Sequence, residues 1–317
     1  MIRTIFQTFG RRYMDVTLRS GQDLTVRIIE RPGLWMAEDD LQTLSRQLRQ
    51  VAARTLDAGS LTYGVFAGKA EVMQSVIITL VCRSDGTPIA FNALAVMTVE
   101  TAPQPTEVLH LGLVMVDPDE RSKNLSWVLY GLTCFLIFFR RQFRPIWISN
   151  VTQVPAVAGM VSNMFSDVWP GPDAGRRTLR HLLLARAIMK DLRHVFGVGP
   201  EAGFDETRFV ITDAYTGGSD DLKKTWDDAP KHREARFNAF CEAELDYDRG
   251  DDLLQLGQMD LAAMRSYLAR EVPRSAVFGL ILAAAMIALR RGVLPVVHWM
   301  DARKPWSVLR PAQGDDP

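Results

Sequence analysis

The chain has 317 residues, of which 47% are hydrophobic and 23% are charged, and this composition excludes an intrinsically disordered protein. Basic and acidic residues number 37 each, so the net charge gives no general affinity for nucleic acid or for an anionic membrane. The three cysteines lie far apart and form no C-x-x-C pair, which is typical of a reducing compartment.

The first 13 residues lack the continuous apolar core and the small-residue cleavage site of a secretory signal, so we expect a cytoplasmic protein. Apolar residues recur here at helical spacing among arginines, namely Ile2, Ile5, Phe6 and Phe9. Such a segment can pack on the domain or lie on a membrane surface, and the sequence leaves both alternatives open.

Regular elements follow in chain order. Leu24–Glu30 alternates imperfectly and predicts a strand that Pro32 ends, and leucines at helical spacing predict a helix over Glu38–Leu56. Two further strands are predicted at Ser75–Cys82 and Ile89–Val99. The Ser-Asp-Gly sequence between them is a turn signal and favours an antiparallel hairpin.

The next stretch combines a buried strand, a polar turn and an apolar helix. Val108–Val116 is almost wholly apolar, and Asp117 ends it together with the following proline, which cannot donate to a sheet ladder. The helix predicted over Leu125–Phe139 has 15 residues, whereas about 20 are needed to cross a bilayer. The helix start and the charges of Arg121 and Lys123 make the turn favourable for an anion such as phosphate.

A strand at Pro145–Ser149 and a helix from Pro155 to about Ser166 complete this half of the chain. The whole stretch resembles the acyl-CoA-binding core of the GCN5-related N-acetyltransferase (GNAT) superfamily, in which a strand ending in Val-Asp-Pro leads into a glycine-rich turn. Here the matching residues are Val116, Asp117 and Pro118, and Asn124 and Ser126 stand where the family has small glycine-type residues.

The resemblance implies an α/β fold with a GNAT-like mixed central sheet flanked by helices. It also implies an acyl-CoA or acyl-carrier-protein thioester as the donor, an amine as the acceptor, and no metal. The donor would contact the strand end and the turn, at Val114, Met115, Val116, Arg121, Ser122, Lys123, Asn124, Leu125 and Ser126. The apolar stretches 125–139 and 276–300 are similar to those of the long-chain N-acyl amino acid synthase branch, and we expect either a long acyl chain or a membrane-associated substrate.

Acyl transfer to an amine needs a base, a hydrogen-bond donor for the thioester carbonyl, and an acid for the leaving thiolate. The resemblance points to His110 as the base, with Glu107 as the second candidate. A buried structural histidine and a solvated carboxylate remain the alternatives for these two residues. A backbone amide within Val114–Val116 is implied as the carbonyl donor. The tyrosine acid of the family is absent, and Ser162 is the nearest hydroxyl to its place.

Gly171–Gly175 predicts a linker, so we divide the chain into a GNAT-like core, residues 1–170, and a mainly helical extension, residues 171–317. The extension is predicted to contain three helices at 176–196, 231–245 and 258–270, and a short strand at 208–212. Residues 276–300 are strongly apolar and predict either a buried helix or an interfacial hairpin at a membrane surface.

Charged clusters carry weaker hypotheses. The five histidines show no metal-ligand spacing. We expect the acidic runs at 220–221, 227–228 and 246–252 to be solvated, with attraction of a cationic amine as the alternative. Arg176, Arg177 and Arg180 are also expected to be solvated, unless they meet the acidic surface of a carrier protein. Two other functions stay open, namely a non-catalytic ligand-binding or regulatory protein and a peripheral membrane protein.

Overall fold

The computed structural model describes residues 12–20, 23–55, 64–101, 104–123, 125, 127–173, 175–216, 222–270, 285 and 289. The strands are β1 (Asp15–Ser20), β2 (Leu24–Glu30), β3 (Val76–Arg83), β4 (Pro88–Val99), β5 (Thr106–His110), β6 (Val114–Val116), β7 (Ile146–Thr152), β8 (Ser166–Trp169), β9 (Gly203–Asp205), β10 (Val210–Thr212) and β11 (Asp252–Met259). The α-helices are α1 (Glu38–Ala52), α2 (Ala70–Met73), α3 (Thr133–Arg140), α4 (Pro155–Met164), α5 (Leu179–Ala187), α6 (Ala235–Glu244) and α7 (Leu261–Arg270).

The strands described form one sheet of 11 strands in the order β1-β2-β3-β4-β5-β7-β11-β10-β9, with β6 paired to β4 and β8 paired to β11. The pair β5–β7 is parallel, and the other pairs are antiparallel. The prediction of a mixed α/β fold with a large sheet flanked by helices is therefore confirmed.

Helices cover both faces of the sheet, because the strands alternate apolar side chains between two cores. On one face, α1 packs Leu41, Leu44 and Leu48 against β2, β3 and β4. On the same face α5 packs against β4, β5, β7 and β11. On the other face, α3 and α4 cover the same strands together with α7.

Several predicted elements are confirmed. The strands β3 and β4 form the antiparallel hairpin, and Gly86 in their turn has a φ of 88°, which glycine adopts without strain. Helix α1 begins with three acidic residues and has Arg49 in its last turn, as the helix dipole favours. Pro155 lies in the first turn of α4, where its missing N–H costs nothing.

The strand β11 was not predicted, because Gln255 and Gly257 interrupt its apolar pattern and an acidic run precedes it. In the structure it lies beside β7 and pairs with it over seven residues. Strands β9 and β10 extend the sheet from β11. The sheet is thus continuous across the boundary predicted at residue 170, and the described part of the extension contributes strands as well as helices.

The two amphipathic segments expected at the chain ends lie outside the described residues. These are residues 2–9 and residues 276–300, of which only positions 285 and 289 are described. Among the helices that the structure does describe, none combines the length and the apolar character that crossing a bilayer requires. Helix α3 is buried against the sheet, as its sequence predicts.

Candidate active site

The parallel strands β5 and β7 stay paired over three residues and then separate. Their last paired residues are His110 and Ser149, and the Leu111 N–H donates to the Ser149 carbonyl at 2.7 Å. After this point the chain turns at Gly112, and β6 pairs with β4 alone. Among the described strands, β6 and residues 150–152 of β7 are therefore not paired with each other, and we call the region between them the wedge.

Two backbone amides of β6 point into the wedge. Leu113 and Asp117 both hydrogen-bond to β4, at N···O distances of 2.9 and 2.8 Å, and Met115 between them lies opposite a β4 residue. Because successive residues of an antiparallel ladder point their N–H groups to opposite sides, the amides of Val114 and Val116 face away from β4. Among the described strands, none pairs with β6 on that side.

Gly112 allows the chain to leave the β5 register. A Cβ atom at this position would lie 2.6 Å from the Ala93 carbonyl oxygen, which is too close for any side chain. The apolar run Val108–Val116 predicts one continuous strand, whereas the structure divides it between β5 and β6. The glycine inside an apolar run was the local signal for the interruption.

His110 lies at the mouth of the wedge, on the sheet face that α5 covers. Its Nδ1 is 3.0 Å from the Ser149 hydroxyl, and its ring stacks on Phe196 with 5.1 Å between the ring centroids. The residue is 4% exposed, and burial lowers the pKa of the imidazole to about 4. The imidazole is therefore neutral at pH 7 and can accept a proton, although it is a weak base.

Ser162 lies on α4, which covers the other face of the sheet. Its hydroxyl donates to the Ala158 carbonyl at 2.9 Å and accepts from the Gln255 amide at 3.2 Å. Because neighbouring strand residues alternate between faces, Gln255 and its partner Asn150 point away from the face of His110. A substrate that contacts both His110 and Ser162 would have to pass through the wedge.

Glu107 lies at the opposite end of β5 from the wedge. Its carboxylate forms ion pairs with Arg141 and with Arg31, the latter at 3.5 Å. At about 3.3 Å per strand residue, it is roughly 10 Å along β5 from His110. The structure therefore does not bring this second candidate base to the wedge.

The turn after β6 is a 3-10 helix, Pro118–Lys123, and not an open loop. The amides of Asp119 and Glu120 are bound by Asp117, at 3.1 Å to its carboxylate and 2.8 Å to its carbonyl oxygen. Arg54 pairs with both aspartates, and Arg83 pairs with Glu120. Two of the backbone amides that were expected to bind an anion at this turn therefore already donate hydrogen bonds within the protein.

The remaining predicted turn residues are only partly described. Arg121, Ser122 and Lys123 belong to the 3-10 helix, but their side chains are outside the description, as are Asn124 and Ser126 entirely. In contrast, Leu125 is buried in the core under α3. Its carbonyl accepts from the amides of residues 128 and 129, so it begins the predicted helix.

The first turns of that helix are π-helical over Trp127–Leu132, whereas the sequence predicts a regular α-helix. In this segment the Leu129 carbonyl accepts a hydrogen bond from the Asn92 side chain of β4. Gly131 also lies directly against the ring of Tyr267, which leaves no room for a Cβ atom. Contacts with β4 and α7 thus hold the helix above the wedge, and local sequence does not reveal them.

The expectation that the acidic run 246–252 is solvated is wrong for its last two residues. Asp251 and Asp252 are buried, and Arg249 pairs with Asp251 at 2.7 Å. The Tyr215 hydroxyl lies 3.1 Å from the Asp252 carboxyl group, and burial raises the pKa of that group to about 8. The last carboxyl group of this run is therefore neutral and hydrogen-bonded in the interior, whereas Asp246 and Asp248 are exposed.

No protein-family model matches the chain, and no curated protein sequence matches it. The functional interpretation consequently depends on the geometry of the wedge and on the strand, turn and helix around it.

Proposed function

We propose that the protein is an N-acyltransferase whose acyl thioester lies in the wedge. The observation that carries this proposal is the pair of amides of Val114 and Val116, which point into a gap within the sheet. A thioester carbonyl bound there would accept a hydrogen bond from an amide that is already fixed in position. Such preorganised donors stabilise the oxyanion of the tetrahedral intermediate, and the loss of one costs about 100- to 1000-fold in rate.

The reaction would proceed by attack of the amine nitrogen on the thioester carbon. A C–N bond forms, the C–S bond then breaks, and the thiolate leaves with a proton. An imidazole of pKa about 4 cannot deprotonate an alkylammonium ion of pKa about 10, so the amine has to arrive neutral. His110 would then accept the much more acidic N–H proton of the tetrahedral intermediate and pass it to the leaving thiolate.

The surroundings of the wedge support a long acyl chain. Val114 and Val116 pack against the same apolar core that holds α3 and α4. An acyl chain that continues from the wedge along this core would bury its methylene groups, each of which contributes about 0.8 kcal/mol. The donor would be a long-chain acyl-CoA or acyl-carrier protein, and the acceptor a small amine.

The test is a transfer assay with acetyl-CoA, palmitoyl-CoA and palmitoyl-carrier protein as donors and a panel of amino acids as acceptors, read by mass spectrometry. We expect N-acyl product that increases with chain length. His110→Gln should lower turnover at least 100-fold and retain donor binding, while His194→Gln, an exposed position, should leave both unchanged. The absence of product with every donor would refute the proposal.

A non-catalytic ligand-binding protein is the second candidate. It is favoured by the burial and weak basicity of His110 and by the engagement of the Asp119 and Glu120 amides within the turn. This function predicts that palmitoyl-CoA raises the melting temperature of the protein without forming product. Equal stabilisation of the wild type and His110→Gln, with no turnover in either, would favour it over catalysis.

A further inference from the structure

Arginines converge at the end of the β5–β7 pair that lies away from the wedge. A cleft of about 510 Å³ opens there between residues 104–107, residues 140–147 and Arg180. The residues come from the start of β5, the end of α3, the start of β7, and α5. We call this the arginine cleft.

The charges in the arginine cleft are unbalanced. Among the described residues, its lining contains four arginines, Arg140, Arg141, Arg144 and Arg180, and one carboxylate, Glu107. Glu107 is shared between Arg141 and the neighbouring Arg31, and Arg140 pairs with Glu30 at 2.9 Å. Five guanidinium groups therefore face two carboxylates in a chain whose net charge is zero.

The geometry holds several of these guanidinium groups at the cleft. Arg180 of α5 donates to the Thr106 hydroxyl on β5, which fixes its position over the opening. Partial burial of Arg141, whose side chain is 36% exposed, together with the charge of Arg31 nearby lowers the pKa of its guanidinium group. Concentrated positive charge of this kind is costly in the empty site and is relieved when an anion binds.

The arginine side chains are not needed to satisfy the end of helix α3. The Gln142 N–H donates to the Phe139 carbonyl at 2.8 Å, and the Phe143 N–H donates to the Phe138 carbonyl at 3.0 Å. The backbone thus closes the helix in the manner of a Schellman motif. Residues 142 and 143 have φ values of 56° and 60°, a conformation that is unfavourable outside glycine, and the Arg144 N–H donates to the Arg141 carbonyl at 3.2 Å.

We propose that the arginine cleft binds a phosphate group, either on a free metabolite or on a lipid headgroup, at a site separate from the wedge. A phosphate carries up to two charges and accepts bidentate hydrogen bonds from planar guanidinium groups, so it matches the excess of arginines better than a single carboxylate does. Pro145, Ile146 and Trp147 line the cleft and offer an apolar wall for the organic part of the ligand.

Experiment has to decide between a free phosphorylated metabolite and a lipid headgroup, because the surroundings of the arginine cleft suit both ligands. Leu179 and Leu183 lie next to Arg180 on α5 and are 70% and 40% exposed, as expected for side chains that insert beside a lipid headgroup. The volume of the cleft equally suits a phosphorylated small molecule. From Thr106 the wedge is more than about 13 Å away along β5, so the two sites function independently.

The test uses inorganic pyrophosphate and glycerol 3-phosphate in calorimetric titrations of the full chain, and vesicles of phosphatidylcholine with or without phosphatidate in sedimentation assays. Arg144→Gln and Arg180→Gln should each weaken binding about tenfold, as expected for the loss of one charge-assisted contact. Arg186→Gln is the matched control, because Arg186 lies on the same helix and pairs with Glu206 outside the cleft.

Binding of the soluble phosphates that both cleft variants weaken would assign a free ligand. Binding only to phosphatidate vesicles, with the same sensitivity, would assign a lipid headgroup. No binding in either assay, or binding that the cleft variants leave unchanged, would overturn the proposal. Acyl transfer from palmitoyl-CoA, which involves no carrier protein, is measured on the same variants and should stay at wild-type level, so that a failure of the cleft is distinguished from a failure of the wedge.

Discussion

The wedge and the arginine cleft lie at opposite ends of the β5–β7 pair and differ in the groups that would bind a ligand. At the wedge, the strands separate and leave backbone amides open beside one neutral histidine. At the arginine cleft, the same strands begin among five guanidinium groups. The first site depends on chain geometry and on steric fit, and the second depends on side-chain charge. We therefore expect the wedge to respond to packing and pH, and the cleft to respond to charge and ionic strength.

The two largest expected effects are pH dependences of stability, and the first is the one that His110 imposes at the wedge. Its pKa is about 4 in the folded protein and near 6.5 in the unfolded chain, so the unfolded state binds the proton more readily between these values. Its contribution to stability is fully present above pH 6.5 and is lost as the pH falls toward 4, by roughly 3 kcal/mol at most. Urea denaturation at several pH values should show that His110→Gln removes this slope.

Asp252 is expected to change stability with pH in the direction opposite to His110, so it serves as the comparison for this measurement. Its pKa is about 8 in the folded protein against 3.8 in the unfolded chain, so its contribution is fully present below pH 3.8 and is lost as the pH rises through 8. Asp252→Asn should therefore remove a decline of stability with rising pH. If both variants changed the profile in the same direction, the burial of one of these groups would be wrong.

The next largest effect is expected for a steric change at Gly112, where the chain passes from β5 to β6. Gly112→Val places a side chain against the Ala93 carbonyl and should lower the free energy of unfolding by about 2 kcal/mol. Gly175→Val is the matched control, because a Cβ atom there meets open space. Chemical denaturation compares the two, and equal effects would show that the close approach to β4 does not constrain the break.

At the arginine cleft, Glu107→Gln should lower the free energy of unfolding by about 1 kcal/mol, since the ion pairs of Glu107 with Arg31 and Arg141 are partly exposed. The same change should strengthen pyrophosphate binding several-fold, because a competing carboxylate is removed, and added salt should reduce the gain. Calorimetry at two ionic strengths measures both effects. A large loss of acyl transfer with unchanged phosphate binding would instead assign Glu107 the role of a base.

The smallest effect is expected for Ser162→Ala on the face opposite His110. The variant loses the hydrogen bonds with Ala158 and Gln255 and should be destabilised by about 1 kcal/mol or less. Turnover should stay within about twofold of the wild type, since a structural hydroxyl contributes no rate acceleration of its own. A fall of 100-fold in the transfer assay would show that Ser162 acts on the leaving thiolate through the wedge.

Local patterns in the sequence predicted much of the fold around these sites. Alternating and apolar runs located β2, β3, β4 and β7, and helical spacing located α1 and α4. The strand β11 was missed because Gln255 and Gly257 interrupt its pattern, although both are buried or packed in the structure. Gln255 is satisfied by α4, and Gly257 lies close under Val168 of β8, so tertiary contacts explain both exceptions.

The sequence by itself determined the elements whose residues are near neighbours along the chain: the hairpin, the apolar helix α3 and the Val-Asp-Pro strand end with its polar turn. Tertiary structure decided that β5 leaves β7 after His110 and that Ser162 lies on the opposite face. It also brought Arg31, Arg141 and Arg180 to one end of the sheet. Sites of this kind join residues that are far apart in sequence, and their geometry depends on the register and twist of the whole sheet.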